Sequence, residues 1–151
     1  MNQIAASTED QRLAILSMEE SLKSLPQIKM EAKHYIAGGM YARELFMPKG
    51  SAVTGKIHIK EHLVILCGDV SVATNDGVTR YTGYCTFVGA PGSKRALFMH
   101  EDTVWTAIHA TDKLTVEECE ATLVVNDYHD FLELAKEDLL SDMEGSTCLI
   151  G

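Results

Sequence analysis

Between about residues 33 and 125, short segments of alternating polar and apolar residues are separated by turn signals roughly every 10–14 positions. The turn signals are GG at 38–39, PKG at 48–50, NDG at 75–77, PG at 91–92 and HED at 100–102. Alternation with a period of two predicts strands, and turns at this spacing are typical of an antiparallel sandwich or barrel. The NDG signal predicts a hairpin in which Gly77 adopts a positive φ.

The first segment, STEDQRLAILSMEESLKSL, has the period of a helix instead. Ser7 followed three residues later by Asp10 is a capping signature, and Pro26 ends the segment. Spacings of 3, 4 and 3 place four apolar residues on one helix face: Ile15, Met18, Leu22 and Leu25. This face either packs on its own domain or docks on a neighbouring subunit as an arm, and the sequence leaves both open.

The end of the chain is also predicted to be helical. Asn126 or Asp127 caps YHDFLELAKEDLL, whose apolar stripe consists of Phe131, Leu132, Ala135 and Leu139. The predicted organisation is an N-terminal helical arm at 1–33, a β-barrel at 34–125, and a C-terminal helix and tail at 126–151. The barrel core is predicted to contain Leu45, Val64, Leu66, Val72, Phe87 and Leu97.

Composition excludes several classes of partner. The 151 residues carry a net charge of -9, which argues against binding nucleic acid because neutralising phosphates needs clustered Lys and Arg. No run of 18 apolar residues predicts a membrane span. The polar, acidic start is unlike a secretory signal. The four cysteines form no CxxC pair, which predicts reduced thiols and no zinc knuckle: Cys67, Cys85, Cys119 and Cys148.

The stretch TGKIHIKEHLVILCGDVSV, residues 54–72, predicts a pocket. Residues two apart on a strand share a face, so an inward His62 takes Lys56, His58 and Lys60 with it. These side chains would line one mouth of a barrel, with Val64 and Leu66 on its floor. A His and Lys cluster, joined by Arg95, suits a carboxylate or phosphate group. The predicted pocket residues are therefore His58, Lys60, His62 and Arg95.

IHIKEHLVILCGDVSV followed by APGSKRALF resembles the two motifs of the cupin superfamily over residues 40 to 112. The resemblance implies a mainly β fold, a cupin-type antiparallel jelly-roll barrel, here with an N-terminal and a C-terminal helix. Gly83, Ala90, Gly92 and Arg95 fall where the second motif has Gly, Pro, Gly and His.

Two registers fit the first cupin motif. One places Glu61 at the motif's Glu, and the other, preferred because both polar groups then face inward, places His58 and His62 at the second His and the Glu. The resemblance implies a metal held by three His and a Glu, of which this chain matches only two. A third ligand would be His100 or His109, so the candidate metal ligands are His58, His62, His100 and His109. Positive charge from Lys56, Lys60 and Arg95 would repel a cation, so no cofactor is expected, with a divalent metal as the alternative.

A narrower resemblance joins TGKIHIKEHLVILCGDVSVATNDGV to MHEDTVWTAIHATD. Together they are similar to small cupin-like proteins of tailed bacteriophages, and this implies a virion-associated protein made in the host cytoplasm.

Two function hypotheses follow. The first is a non-catalytic structural component of a phage particle, in a decoration, collar, tail or fibre-attachment role, with no catalytic residue. It would assemble with other virion proteins or with copies of itself as a homo-oligomer, without nucleic acid or membrane. The alternative is a metal-dependent small-molecule cupin enzyme of isomerase or dioxygenase type.

Overall fold

The computed structural model describes residues 3–4, 9–74, 77–126 and 128–144. Most of the chain forms antiparallel strands, with helices in the N- and C-terminal regions. The elements, in chain order, are β1 (Gln3–Ile4), α1 (Glu9–Lys23), β2 (Glu31–Ala37), β3 (Met40–Met47), β4 (Ala52–Thr54), β5 (Ile57–His58), β6 (His62–Thr74), β7 (Gly77–Gly89), β8 (Ala96–Met99), β9 (Thr103–Ala110), α2 (Val116–Leu123), β10 (Val124–Val125) and α3 (Tyr128–Glu144). The predicted mainly β fold with antiparallel strands and terminal helices is confirmed.

The strands form one curled sheet in the order β1-β7-β6-β9-β3-β2, with β8 pairing both β6 and β4. Among the strands that the structure describes, β1 alone runs parallel to its neighbour, β7. A separate two-stranded ladder joins β5 to β10 by pairing His58 with Val124. The predicted hairpin is confirmed, because Thr74 pairs with Gly77, whose φ is +105°; residues 75 and 76 of the turn lie outside the described part of the chain.

Alternation of burial along the strands creates the core. In β9, for example, the odd-numbered residues from Thr103 to His109 are buried and their neighbours are partly exposed. The inward faces of several strands enclose one apolar cluster, which is Met47, Val64, Leu66, Val70, Val72, Phe87, Leu97, Met99 and Trp105. Each large apolar side chain in it contributes roughly 1.5–3 kcal/mol by leaving water.

One helix was not predicted. Helix α2 interrupts the range 34–125, which was expected to be entirely β. Thr115 caps it, because its side-chain oxygen accepts a hydrogen bond from the backbone N–H of Glu118. Its buried Cys119 and Leu123 pack with Tyr41 in a second small cluster. The strand interpretation failed because an eight-residue helix shows too few turns to display its period.

Helix α1 packs on its own chain. Ile15 is 3% exposed, while Met18 and Leu25 of the predicted stripe remain exposed. Glu19 forms an ion pair with the buried Lys94, at 3.1 Å between Oε2 and Nζ, and Lys94 also donates to the carbonyl of Gly55. The predicted cap Ser7 and the thiol Cys148 lie outside the described residues. No helix in the described part of the chain is long and apolar enough to cross a membrane.

We expect Glu19→Gln to lower the free energy of unfolding by about 1–3 kcal/mol, because it removes the carboxylate charge that pairs with the buried Lys94 ammonium. Glu20→Gln is the matched control, since Glu20 pairs with Lys23 on the exposed side of the same helix and such pairs contribute about 0.2–1 kcal/mol. Urea unfolding measures both variants. Equal losses would contradict the docked position of α1.

Candidate functional site

Three of the six histidines lie together at one end of the concave face of the sheet. His62 and His109 are 4% and 3% exposed, and His58 is half-buried. Strand register explains the grouping, since Leu63 of β6 pairs with Ile108 of β9, and His62 and His109 are the adjacent residues. His58 comes from β5, which the ladder with β10 holds over the same end.

The three imidazole rings are stacked. The ring centroids lie 4.0 Å apart for His58 and His62, 4.7 Å for His62 and His109, and 5.2 Å for His58 and His109, with interplanar angles of 8–17°. Nδ1 of His58 and Nε2 of His109 share a hydrogen bond of 3.0 Å. One nitrogen from each ring lies within 4.8 Å of the other two.

A backbone carbonyl fixes the tautomer of His62. Nδ1 of His62 lies 3.0 Å from the carbonyl oxygen of Lys60, which can only accept, so Nδ1 carries the proton. In the neutral ring, Nε2 therefore keeps its lone pair. Nε2 of His62 and Nδ1 of His109 are buried and have no hydrogen-bond partner among the described residues. A buried lone pair on a ring oriented by a carbonyl is the usual state of a metal-ligating histidine.

The cluster stays neutral at physiological pH. Burial, with a smaller contribution from the charge of Arg95, lowers the pKa of His62 to about 4 against the opposing effect of the hydrogen bond to Lys60. Burial and the charge of His62 lower the pKa of His109 to about 4. The pKa of His58 lies well below its usual range because of burial and then the charges of its two ring neighbours. Neutral imidazole is the form that binds metals.

Arg95 lies next to the histidine cluster, and its side chain is buried. It is 6% exposed, and its Nη2 donates to Oγ of Ser93, while Nε has no partner in the described structure. Burial lowers the pKa of its guanidinium to about 10. The loop that carries it is covered from outside by α1 through Lys94, and by α3, whose Phe131 lies against Gly92.

A cavity of about 340 Å³ opens beside the cluster, with His58 and His109 in its wall. The wall is mainly apolar, and its charged side chains are Arg43, Lys56 and Glu120. The apolar side chains that line it are Met30, Leu45, Met47, Val53, Leu97, Trp105, Ala107, Leu123 and Val124. Tyr41 also lines it, directly across from His109 in the β3–β9 pairing.

The predicted site residues separate into two groups. His58, His62 and His109 come together, and Arg95 is their neighbour. Lys60 does not face them. Residues 59 and 60 form a bend between β5 and β6, and this bend interrupts the alternation of inward and outward side chains. Lys60 is exposed and lines a different cavity. His100 is also elsewhere, since its Nε2 bonds Oγ of Ser71 at 2.7 Å. The inward placement predicted for Lys60 is therefore wrong.

The three histidines supply the donor atoms of a divalent transition-metal site, but the stacked rings must rotate before their in-plane lone pairs can meet at one ion. They offer three neutral nitrogen donors, two of them buried without a partner, and imidazole suits zinc, iron, copper and nickel. Zn–N bonds of about 2.0–2.1 Å bring the nitrogens of a tetrahedral site to about 3.4 Å of one another. The nitrogens of the cluster lie within 4.8 Å of one another, so their separations must shorten by at most about 1.4 Å. Binding through Nδ1 of His58 or Nε2 of His109 would break the hydrogen bond between these two rings.

Known proteins resemble the chain only in structure. No protein-family model matches it, and no curated protein sequence matches it. A cupin domain from Bordetella pertussis is 14% identical over 58% of this chain and 99% of that one, with a TM-score of 0.46. A cupin superfamily protein from Desulfitobacterium hafniense is 13% identical over 61% and 86%, with a TM-score of 0.47. A conserved protein of unknown function from Streptococcus pyogenes is 15% identical over 76% and 98%, with a TM-score of 0.46.

At 13–15% identity and TM-scores below 0.5, these similarities identify no family, ligand, activity or location for this chain. Sequence reasoning missed three of its parts: the carbonyl of Lys60, the glycine at position 89 that lies against the His62 ring, and Tyr41 and Arg43 in the cavity wall. Tyr41 and Arg43 can be identified once the register of β3 with β9 is known, because the odd-numbered residues of β3 then face inward.

Proposed function

We propose that this chain is a metal-dependent enzyme for a small molecule, with His58, His62 and His109 as the ligands of one divalent transition-metal ion. One observation carries the proposal: three neutral histidines, two with buried unpartnered nitrogens, cluster together, and His58 and His109 of this cluster line a mainly apolar cavity. This is the alternative predicted from the sequence, with His109 as the third ligand. A bound metal ion would supply Lewis-acid polarisation of a ligand oxygen.

Other residues of the site orient the ligands, exclude water and supply charge. The carbonyl of Lys60 keeps the proton of His62 on Nδ1 and aims Nε2. Apolar side chains such as Met47, Leu97 and Trp105 keep water out of the cavity, and this strengthens electrostatic interactions inside it. The positive charge of Arg95 beside the cluster favours an anionic ligand there, because an anion offsets the repulsion between the guanidinium and the metal ion.

Tyr41 is the proton-carrying group of the cavity wall. Its phenol is buried, which raises its pKa, with the charge of Glu120 as the second cause. Its hydroxyl lies 2.7 Å from Nδ1 of the exposed His34. Together they form a hydrogen-bonded path for a proton from the cavity to solvent, and the phenol stays protonated at neutral pH as a general acid needs.

Metal content tests the proposal directly. We expect tag-free protein, stripped with EDTA and then dialysed against Zn²⁺ or Co²⁺, to retain about one ion per chain. His109→Ala should lose most of it, because it removes one of three ligands. His100→Ala is the matched control, since His100 bonds Ser71 outside the cluster. Mass spectrometry of the metal gives the stoichiometry. Equal retention by the two variants, or none by the wild type, would refute the site.

A second candidate is the structural component of a phage particle, with copies of itself or other virion proteins as partners. The outward face of the sheet favours it: Leu63, Tyr84 and Phe46 are 46%, 72% and 42% exposed. The register brings Tyr84 and Phe46 onto the two ends of one row across β7, β6, β9 and β3. Apolar area of this kind is rarely left bare. Sedimentation of the wild type and of Tyr84→Lys tests it, since a monomer in both would remove its physical support.

A further inference from the structure

The cavity beside the histidines has a chemical character of its own. Its deep wall is formed by Leu45, Met47, Leu97 and Trp105, all of them apolar. The lining as a whole exposes more apolar than polar surface, although it also contains the hydrogen-bonding side chains of Tyr41, Arg43, Thr54, Lys56, His58, His109 and Glu120. Of these, Tyr41 is already bonded to His34. A sugar ring would bring several hydroxyl groups into this wall and leave them without partners, at a cost for each. The wall therefore selects a ligand with an apolar body.

The charged side chains of the cavity wall determine which polar group the ligand carries. Arg43 and Lys56 are two cations against the single anion Glu120. Arg43 lies on β3 between Tyr41 and Leu45, and its pairing with Ala107 places it on the inward face. In the described structure, Arg43 forms no ion pair within 4.0 Å. An unpaired guanidinium at the mouth of a cavity is suited to a carboxylate, which it can bind through two parallel hydrogen bonds.

The small side chain of Ala107, which pairs with Arg43, also shapes the cavity. Ala107 stands opposite Arg43 on β9, between Trp105 and His109, and it also lines the cavity. Its methyl side chain takes up less of the cavity than either neighbour. A ligand whose carboxylate is held by Arg43 would therefore lie beside His109 and along the apolar wall.

We propose that the cavity takes a small carboxylic acid with an apolar, aliphatic or aromatic body, and that Arg43 binds its carboxylate. The inference deepens the proposed function by naming the ligand class, and it rests on that function only for the reaction at the histidines. The cavity volume of about 340 Å³ lies at the lower end of the range of small-molecule sites, so the acid must be small.

The probe is 3-phenylpropanoate, compared with its uncharged amide and with the polar acid glucuronate. Isothermal titration of the full, tag-free chain should give one saturable site for 3-phenylpropanoate. The amide should bind at least about tenfold more weakly, since charge-assisted hydrogen bonds are worth that much. Glucuronate should also bind more weakly, because its hydroxyl groups meet the apolar wall.

Arg43→Gln should weaken 3-phenylpropanoate at least about tenfold, and Arg43→Lys should lie between it and the wild type. Lys33→Gln is the matched control: it removes one positive charge from the same β2–β3 hairpin, but Lys33 pairs with Glu44 on the outward face. Unchanged affinity in Lys33→Gln supports the assignment. Equal binding of acid and amide, no effect of Arg43→Gln, tighter binding of glucuronate, or no saturable site would overturn it.

The same titrations with and without one equivalent of Zn²⁺ separate this inference from the proposed function. Acid binding that depends on Arg43 in a chain that retains no metal supports the inference and counts against the metal-dependent function. Metal retention without acid binding overturns the inference and leaves the function standing.

Discussion

Acid should destabilise the metal-free protein strongly between pH 6.5 and pH 4. The pKa values of His62 and His109 fall from 6.5 to about 4 on folding, so in this window the unfolded chain binds more protons than the folded one. The free energy of unfolding must therefore fall as the pH falls. A shift of this size corresponds to about 3 kcal/mol for one ring, and we expect a total loss of about 3–6 kcal/mol.

Urea unfolding in EDTA at a series of pH values measures this loss. His62→Gln should reduce the slope by about 1.4 kcal/mol per pH unit, the contribution of one titrating ring. His100→Gln removes a histidine outside the cluster and should keep the wild-type slope. A stability that is flat from pH 7 to pH 5 would show that the rings are not buried as neutral groups.

Gly89→Ala should be among the most damaging small substitutions in the chain. Gly89 pairs with His62 across β6 and β7, and a Cβ at this position would overlap Nε2 and Cε1 of the His62 ring. The ring cannot move aside freely, since it is stacked against both His58 and His109. We expect a loss of about 1–3 kcal/mol of stability, together with weaker metal retention.

A double-mutant cycle isolates the cause. In a His62→Ala background the clash is absent, so Gly89→Ala should cost much less there. Gly68→Ala is the control: its Cβ would overlap Thr103, away from the histidines, and it should cost the same in both backgrounds. If the two glycine substitutions respond alike to His62→Ala, Gly89 is not a packing partner of the ring.

Much of the fold follows from local signals in the sequence. Alternation and turn residues are short-range, and the six predicted core residues are all in or packed against the main cluster: Leu45, Val64, Leu66, Val72, Phe87 and Leu97. The hairpin at Gly77 is set by one residue's backbone freedom. Helix α2 was not predicted, because its capping residue, Thr115, and its two buried residues form too short a pattern to indicate a helix.

The site was only partly predictable, because it depends on strand register. His58 and His62 are close in sequence, and both were candidates. His109 joins them through the pairing of Leu63 with Ile108, a contact between residues 45 positions apart, and nothing local distinguishes it from His100. Lys60 was misplaced for a similar reason: a bend between β5 and β6 resets the alternation that a continuous strand would have kept.

The coordination of a bound ion is the most direct test of the three-histidine centre. X-ray absorption of the tag-free chain loaded with one equivalent of Co²⁺ reports the atoms around the metal. The structure predicts three imidazole nitrogens at about 2.0–2.1 Å, and the loss of this signal in the combined His58→Ala, His62→Ala, His109→Ala variant. A shell of oxygen alone, or an unchanged imidazole signal in that variant, would contradict it.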